Sequence, residues 1–135
     1  MKPNILFIGD LNFYAKGFSR LQAAQRLGCH VDAFSHTPIG GDDLGFINRS
    51  LSFRLAWKLN FQLDTEKINE RIIAYFSKNS PDILWIEKGN MIRRKTLQIV
   101  RKVSPKTIIV SYSDDDMYNP TNRTKSYANT IKYYH

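Results

Sequence analysis

Two short runs decide the fold: Asn4-Ile5-Leu6-Phe7-Ile8-Gly9-Asp10 near the start and Asp82-Ile83-Leu84-Trp85-Ile86-Glu87-Lys88-Gly89 past the middle. Each is a continuous apolar segment closed by a charged or glycine-bearing turn. A strand that is apolar at every position buries both faces, which happens when a parallel sheet is covered on two sides. Residues 19–27 follow the first run and place Leu21, Ala24 and Leu27 on one helical face, with Gly28 as a stop signal. Val31–Phe34 reads as a second strand, and Pro38, Gly40, Gly41, Asp42, Asp43 and Gly45 make residues 36–45 a loop.

Leu51, Leu55, Leu59 and Leu63 then recur every fourth residue and predict a helix. Asp64-Thr65 can cap a further helix lined by Ile68, Ile72, Tyr75 and Phe76. Pro81-Asp82 ends it before the strand Ile83–Ile86. Leu97, Val100 and Val103 mark a helix ending near Ser104-Pro105, Thr107–Tyr112 is a fourth strand, and Ser113–Thr124 is polar and turn-rich. Strands alternating with helices predict an α/β, Rossmann-like domain: a parallel sheet of at least four strands with helices on both faces. Right-handed crossovers put the strand ends along one edge, where ligands of such sheets bind. The residues to examine therefore follow each strand: Gly9-Asp10-Leu11-Asn12, Ser35-His36, Glu87-Lys88-Gly89 and Ser113-Asp114-Asp115-Asp116.

Composition agrees with one compact unit. The 135 residues are 42% hydrophobic and 24% charged, with seven Gly and five Pro, so a real core is possible and disordered or collagen-like classes are excluded. The mean hydropathy is −0.40 and no run approaches the ~18 apolar residues of a membrane span. The first ten residues turn polar too soon for a signal peptide. Cys29 is the one cysteine and reads as a small packed hydrophobe, so no internal disulfide or cysteine zinc site is available. The expected location is the cytoplasm.

The net charge of +8 is concentrated in residues 51–135, and Lys88, Arg93, Arg94, Lys95, Arg101, Lys102 and Lys106 occur without an intervening acid. Such a run is either a solvated face or a surface for nucleic acid, phosphorylated ligands or anionic lipid. No nucleic-acid motif accompanies it, and no nucleic-acid partner is expected. Around Leu51–Leu63, Phe53, Trp57 and Phe61 lie beside Arg49, Arg54 and Lys58. The stripe is either a core face or a helix resting on anionic lipid, and the second case would bring the protein to the inner face of the membrane.

Gly9 and Gly17 do not make the G-x-G-x-x-G pattern, and P-loop spacing is absent, so no nucleotide cofactor is expected. The loop from Gly9 leads instead through Asn12 and Gly17 to Ser19-Arg20, where free N–H groups and a guanidinium can hold an anionic or hydroxyl-rich ligand. Glu87 and Lys88 are either base and electrostatic partner or simply an ion pair. Asp114 and Asp116 match a D-x-D metal pattern, but three adjacent acids before Asn119-Pro120 also suit a turn. His30, His36 and His135 have no metal-ligand spacing.

In order, these segments resemble a known family. Ile5–Asp10 with Leu11-Asn12-Phe13-Tyr14-Ala15-Lys16-Gly17-Phe18-Ser19-Arg20, then Gly28-Cys29-His30-Val31-Asp32-Ala33-Phe34, then Asp82–Gly89, then Ser111-Tyr112-Ser113-Asp114-Asp115-Asp116-Met117-Tyr118-Asn119-Pro120 are similar to the N-terminal domain of bacterial GT-B glycosyltransferases. The likeness is to the branch related to spore-maturation-type glycosyltransferases and covers nearly the whole chain. It implies transfer of a sugar from a nucleotide-sugar to an acceptor hydroxyl, with this domain on the acceptor side and a carboxylate as base. Asp10, Glu87 and Asp115 or Asp116 are the catalytic candidates; Asn12, Gly17, Ser19, Arg20, Lys88 and Asn119 are the substrate-binding ones. The resemblance implies no bound metal, no cofactor and no particular oligomeric state. It also implies that the donor-binding second domain is missing from these 135 residues, which are expected to transfer no sugar alone. The alternative is a non-catalytic binding or scaffold domain whose basic face meets phosphorylated glycans or anionic lipid.

Overall fold

A computed structural model describes residues 1–40 and 49–135, so residues 41–45 of the expected loop lie outside the described residues. The elements are β1 Asn4–Gly9, α1 Lys16–Arg26, β2 His30–Ser35, α2 Leu51–Lys58, α3 Ile68–Phe76, β3 Ile83–Glu87, α4 Arg94–Val103, β4 Ile108–Tyr112 and α5 Lys125–Thr130, followed by a short 3-10 turn, Ile131–Tyr133. The four strands form one sheet in the order β2-β1-β3-β4, and every pairing is parallel. The chain leaves β1 toward β2 and then crosses back to β3. The strand order therefore reverses between β1 and β3, and that crevice is the topological switch point.

Alternation along the strands assigns the two faces. Leu6, Ile8, Leu84, Ile86 and Ile109 pack against Ile68, Ile72 and Phe76 of α3 and Leu97 and Val100 of α4. Ile5 and Phe7 pack against Leu21 of α1, with Val31, Ala33, Ile83 and Trp85 at the margin. Helices thus cover both faces, as the unbroken apolar strands predict. The second face also carries an aromatic row. Phe7 stacks on Trp85 at 6.2 Å between centroids, and Trp85 stacks on Tyr112 at 6.0 Å.

Asn69 joins α3 to the start of α4. Its amide nitrogen donates to Asp64 Oδ2 (2.7 Å) and to the Met91 carbonyl (2.9 Å), while its oxygen accepts from Arg93 N–H (2.8 Å) and Thr96 Oγ1 (2.7 Å). All four bonds of a buried amide are made, which fixes the loop between β3 and α4. Asp64 also caps α3, accepting from the N–H groups of Ile68 and Asn69.

Several expectations are corrected. α1 begins at Lys16, three residues before Ser19. A Cβ at Gly17 would lie 2.8 Å from the Asp10 carbonyl oxygen, so glycine lets the first turn of the helix sit directly on the end of β1. α2 stops at Lys58, and Asn60 follows in the left-handed region (φ 65°). None of its residues is buried: Leu51, Leu55 and Leu59 face solvent, so the stripe is not a core face. α5 falls at the end of the polar segment, with Thr124 Oγ1 accepting from Tyr127 N–H as its cap. The basic run is not one face either: Lys88 ends β3, whereas Lys106 precedes β4 at the opposite edge of the sheet. Among the described residues, no helix is long and apolar enough to cross a membrane.

Candidate functional site

A cleft of about 420 Å³ opens at the switch point, walled by Asp10 after β1, His36 after β2, Glu87 and Lys88 at the end of β3, Ser113–Asp115 after β4, and the first turn of α1. Its depth follows from β3. Trp85 and Glu87, two residues apart, share the α1 face of the sheet, and Arg20 reaches down from α1 to meet them. Arg20 donates from Nη1 to Glu87 Oε2 (2.7 Å) and from Nη2 to Asp114 Oδ1 (2.9 Å), with its guanidinium 4.2 Å from the Tyr112 ring centroid. Trp85 Nε1–H donates to the other Glu87 oxygen at 3.0 Å. The buried Glu87 carboxylate therefore has a donor on each oxygen. Partial burial works against the charge on Arg20, but the hydrogen bond to Asp114 and the charge of Glu87 outweigh it and hold the guanidinium above its usual range. Asp114 is held below the usual carboxylate range by Arg20 first and Tyr112 second, and Lys16 adds an ion pair at 3.3 Å.

Lys88 sits in the left-handed region (φ 54°), a conformation worth roughly 1 kcal/mol of strain outside glycine. Its N–H donates to the Tyr112 carbonyl (2.8 Å) and its ammonium pairs with Asp115 (2.5 Å). Asp10 is the cleft carboxylate that has no cation partner among the described residues. Its Oδ1 accepts from the Asn12 N–H (3.0 Å) and side-chain amide (2.7 Å).

The other candidates divide. Gly17, Arg20, Lys88, Asp10, Glu87 and Asp115 line the cleft together. Asn12 is buried beneath it; its amide also donates to the Pro38 carbonyl and accepts from Gly40 N–H, so it locks the loop after β1 to the loop after β2. Ser19 is exposed on α1 outside the cleft. Asp116 accepts from Tyr118 N–H and Asn119 from Thr121, both closing turns away from the cleft. The D-x-D carboxylates thus serve different ends, Asp114 binding cations and Asp116 shaping the turn.

His36 is a site residue that its spacing did not reveal. Its N–H donates to the Gly9 carbonyl (3.0 Å), which puts the imidazole beside Asp10. Burial lowers its pKa; Asp10 opposes the shift, while Arg49 and Lys88 reinforce it. A neutral imidazole beside a carboxylate can accept a proton from a hydroxyl. Among the described residues, its buried Nδ1 has no hydrogen-bond partner. The available signal was positional, since His36 directly follows a strand of a parallel sheet.

Comparison with protein-family models, with curated proteins and with solved structures finds no match.

Proposed function

We propose that this chain is the acceptor-side domain of a sugar-transfer enzyme, binding a hydroxyl-bearing acceptor in the switch-point cleft for attack on a nucleotide-sugar. The observation that carries the reading is the convergence of Asp10, Glu87, Lys88 and Asp115 with Arg20 at one end of a parallel sheet. The order of strand-end motifs, which resembles GT-B glycosyltransferases, supplies the reaction class. In this reading Asp10, with His36 beside it, takes the acceptor proton. Glu87, whose two oxygens are already engaged, holds Arg20 and the cleft floor in place and does not itself act as base. Lys88 and Asp115 bind acceptor hydroxyls. Saturation-transfer NMR with mono- and disaccharides tests this: Asp10→Asn and Lys88→Ala should each weaken the signal that the wild-type protein gives. The absence of signal from any sugar, or signal indifferent to both changes, contradicts it.

A second reading is supported by the exposed Leu51, Leu55 and Leu59, which give α2 an apolar outer face beside Arg54 and Lys58. On this reading the domain works at the inner face of an anionic membrane. Vesicles containing anionic lipid should sediment the protein at low salt, and replacing the three leucines by Ser should release it. Failure to sediment refutes the membrane contact and leaves the cleft untouched.

A further inference from the structure

Beside the cleft lies a larger groove of about 600 Å³ between α2, the end of β3 and the turn after β4; it meets the cleft at His36, Lys88 and Asp115, which line both. Phe53, Arg54, Trp57 and Lys58 follow helical spacing and form one face of α2, turned into this groove. Leu51 and Leu55 lie along the neighbouring edge of the helix, with Lys58 at the border between the leucine stripe and the groove wall. Arg49 completes the wall, its guanidinium 4.7 Å from the Phe53 ring centroid.

Among the described residues, the charge of the groove is unbalanced: Arg49, Arg54, Lys58 and Lys88 gather around one space, and Asp115, the carboxylate among its described lining residues, is already paired with Lys88. Arg49, Arg54 and Lys58 have no ion-pair partner among the described residues. Like charges around a concave surface focus a positive potential that favours an anion. Trp57, a residue 51% exposed, offers a flat apolar ring in the same wall. The buried Nδ1 of His36, without a partner among the described residues, is a further polar atom at the junction with the cleft. A groove of this size falls within the ~300–1,000 Å³ that small ligands fill.

We infer that the groove binds the phosphoryl end of a phosphorylated sugar acceptor. Arg54 and Lys58 hold the phosphate, Trp57 lies against the apolar face of the sugar ring, and the free hydroxyl points past His36 and Lys88 toward Asp10. The inference rests on the acceptor reading and names the acceptor's chemical class.

The test is titration of the 135-residue chain, followed by calorimetry and tryptophan fluorescence, with glucose 6-phosphate, glucose, inorganic phosphate and uridine diphosphate. Glucose 6-phosphate should bind at least ~10-fold more tightly than glucose or inorganic phosphate, because the groove offers contacts to both of its parts. Arg54→Gln with Lys58→Gln should remove that ~10-fold advantage while leaving the affinity for glucose unchanged. Trp57→Phe should abolish most of the fluorescence response and retain calorimetric binding. Equal binding of glucose and glucose 6-phosphate, with glucose binding still sensitive to Asp10→Asn, overturns the phosphate site while supporting the acceptor cleft. Tighter binding of uridine diphosphate than of glucose 6-phosphate overturns it in favour of a nucleotide. Glucose 6-phosphate binding indifferent to the double substitution also overturns it, as does a double substitution that abolishes only vesicle binding.

Discussion

Replacing Arg20 with Ala strands Glu87, which has a side chain only 9% exposed and keeps just the Trp85 donor. Removing one partner of a fully buried ion pair costs about 3–5 kcal/mol, because the remaining charge has lost its compensation. Arg20 is 25% exposed and water can reach the vacated space, which places the loss at ~2–3 kcal/mol, including the lost stacking on Tyr112. Asp114 adds little, since it is exposed and screened by salt. In urea denaturation at pH 7, a loss of this size moves the midpoint down by about 1–2 M at an unchanged slope. The double variant Arg20→Met with Glu87→Gln should recover at least half of the loss, because no unpaired charge is left. A cost below ~0.5 kcal/mol for Arg20→Ala, or no recovery in the double variant, would refute the view that this pair is the buried floor of the cleft.

Other expectations follow from the same geometry. Stability should fall as the pH drops from 7.5 to 5.5, because His36, whose folded pKa lies below 6.5, stays neutral in the fold while the unfolded chain takes up the proton. Urea curves at the two pH values should show this loss, and His36→Gln should flatten it. Gly17→Ala should cost ~1–3 kcal/mol in the same assay, since its Cβ would press on the Asp10 carbonyl and force α1 away from β1. Asn69→Ala should cost at least ~3 kcal/mol by stranding several buried partners, again read from the urea midpoint.

The sheet was legible because Ile5–Ile8 and Ile83–Ile86 are apolar at every position, and only burial on both faces accommodates that pattern. The cleft was partly legible for the same reason: parallel strands deliver Asp10, Glu87, Lys88 and Asp115 to one edge whatever their spacing in the chain. Side-chain roles were not legible. Nothing in the order of residues shows that Arg20 would reach Glu87 and Asp114 together, or that Asn12 would be spent on locking two loops. The spacing of Leu51, Leu55 and Leu59 gave a helix but not its surroundings, since a four-residue stripe looks the same against a core and against water. The basic run Lys88–Lys106 misled for a related reason: it passes through α4, so its two ends emerge at opposite edges of the sheet.

Backbone chemical-shift mapping with ¹⁵N-labelled protein shows whether ligand meets the strand ends at the switch point. On addition of a sugar acceptor, shifts are expected at Asp10, Gly17, His36, Lys88 and Asp115, which lie far apart in sequence and come together only at the switch point, and a phosphorylated acceptor should add Arg54, Trp57 and Lys58. Shifts clustered at Asp82 and Lys106 instead, on the opposite edge of the sheet, would contradict this expectation.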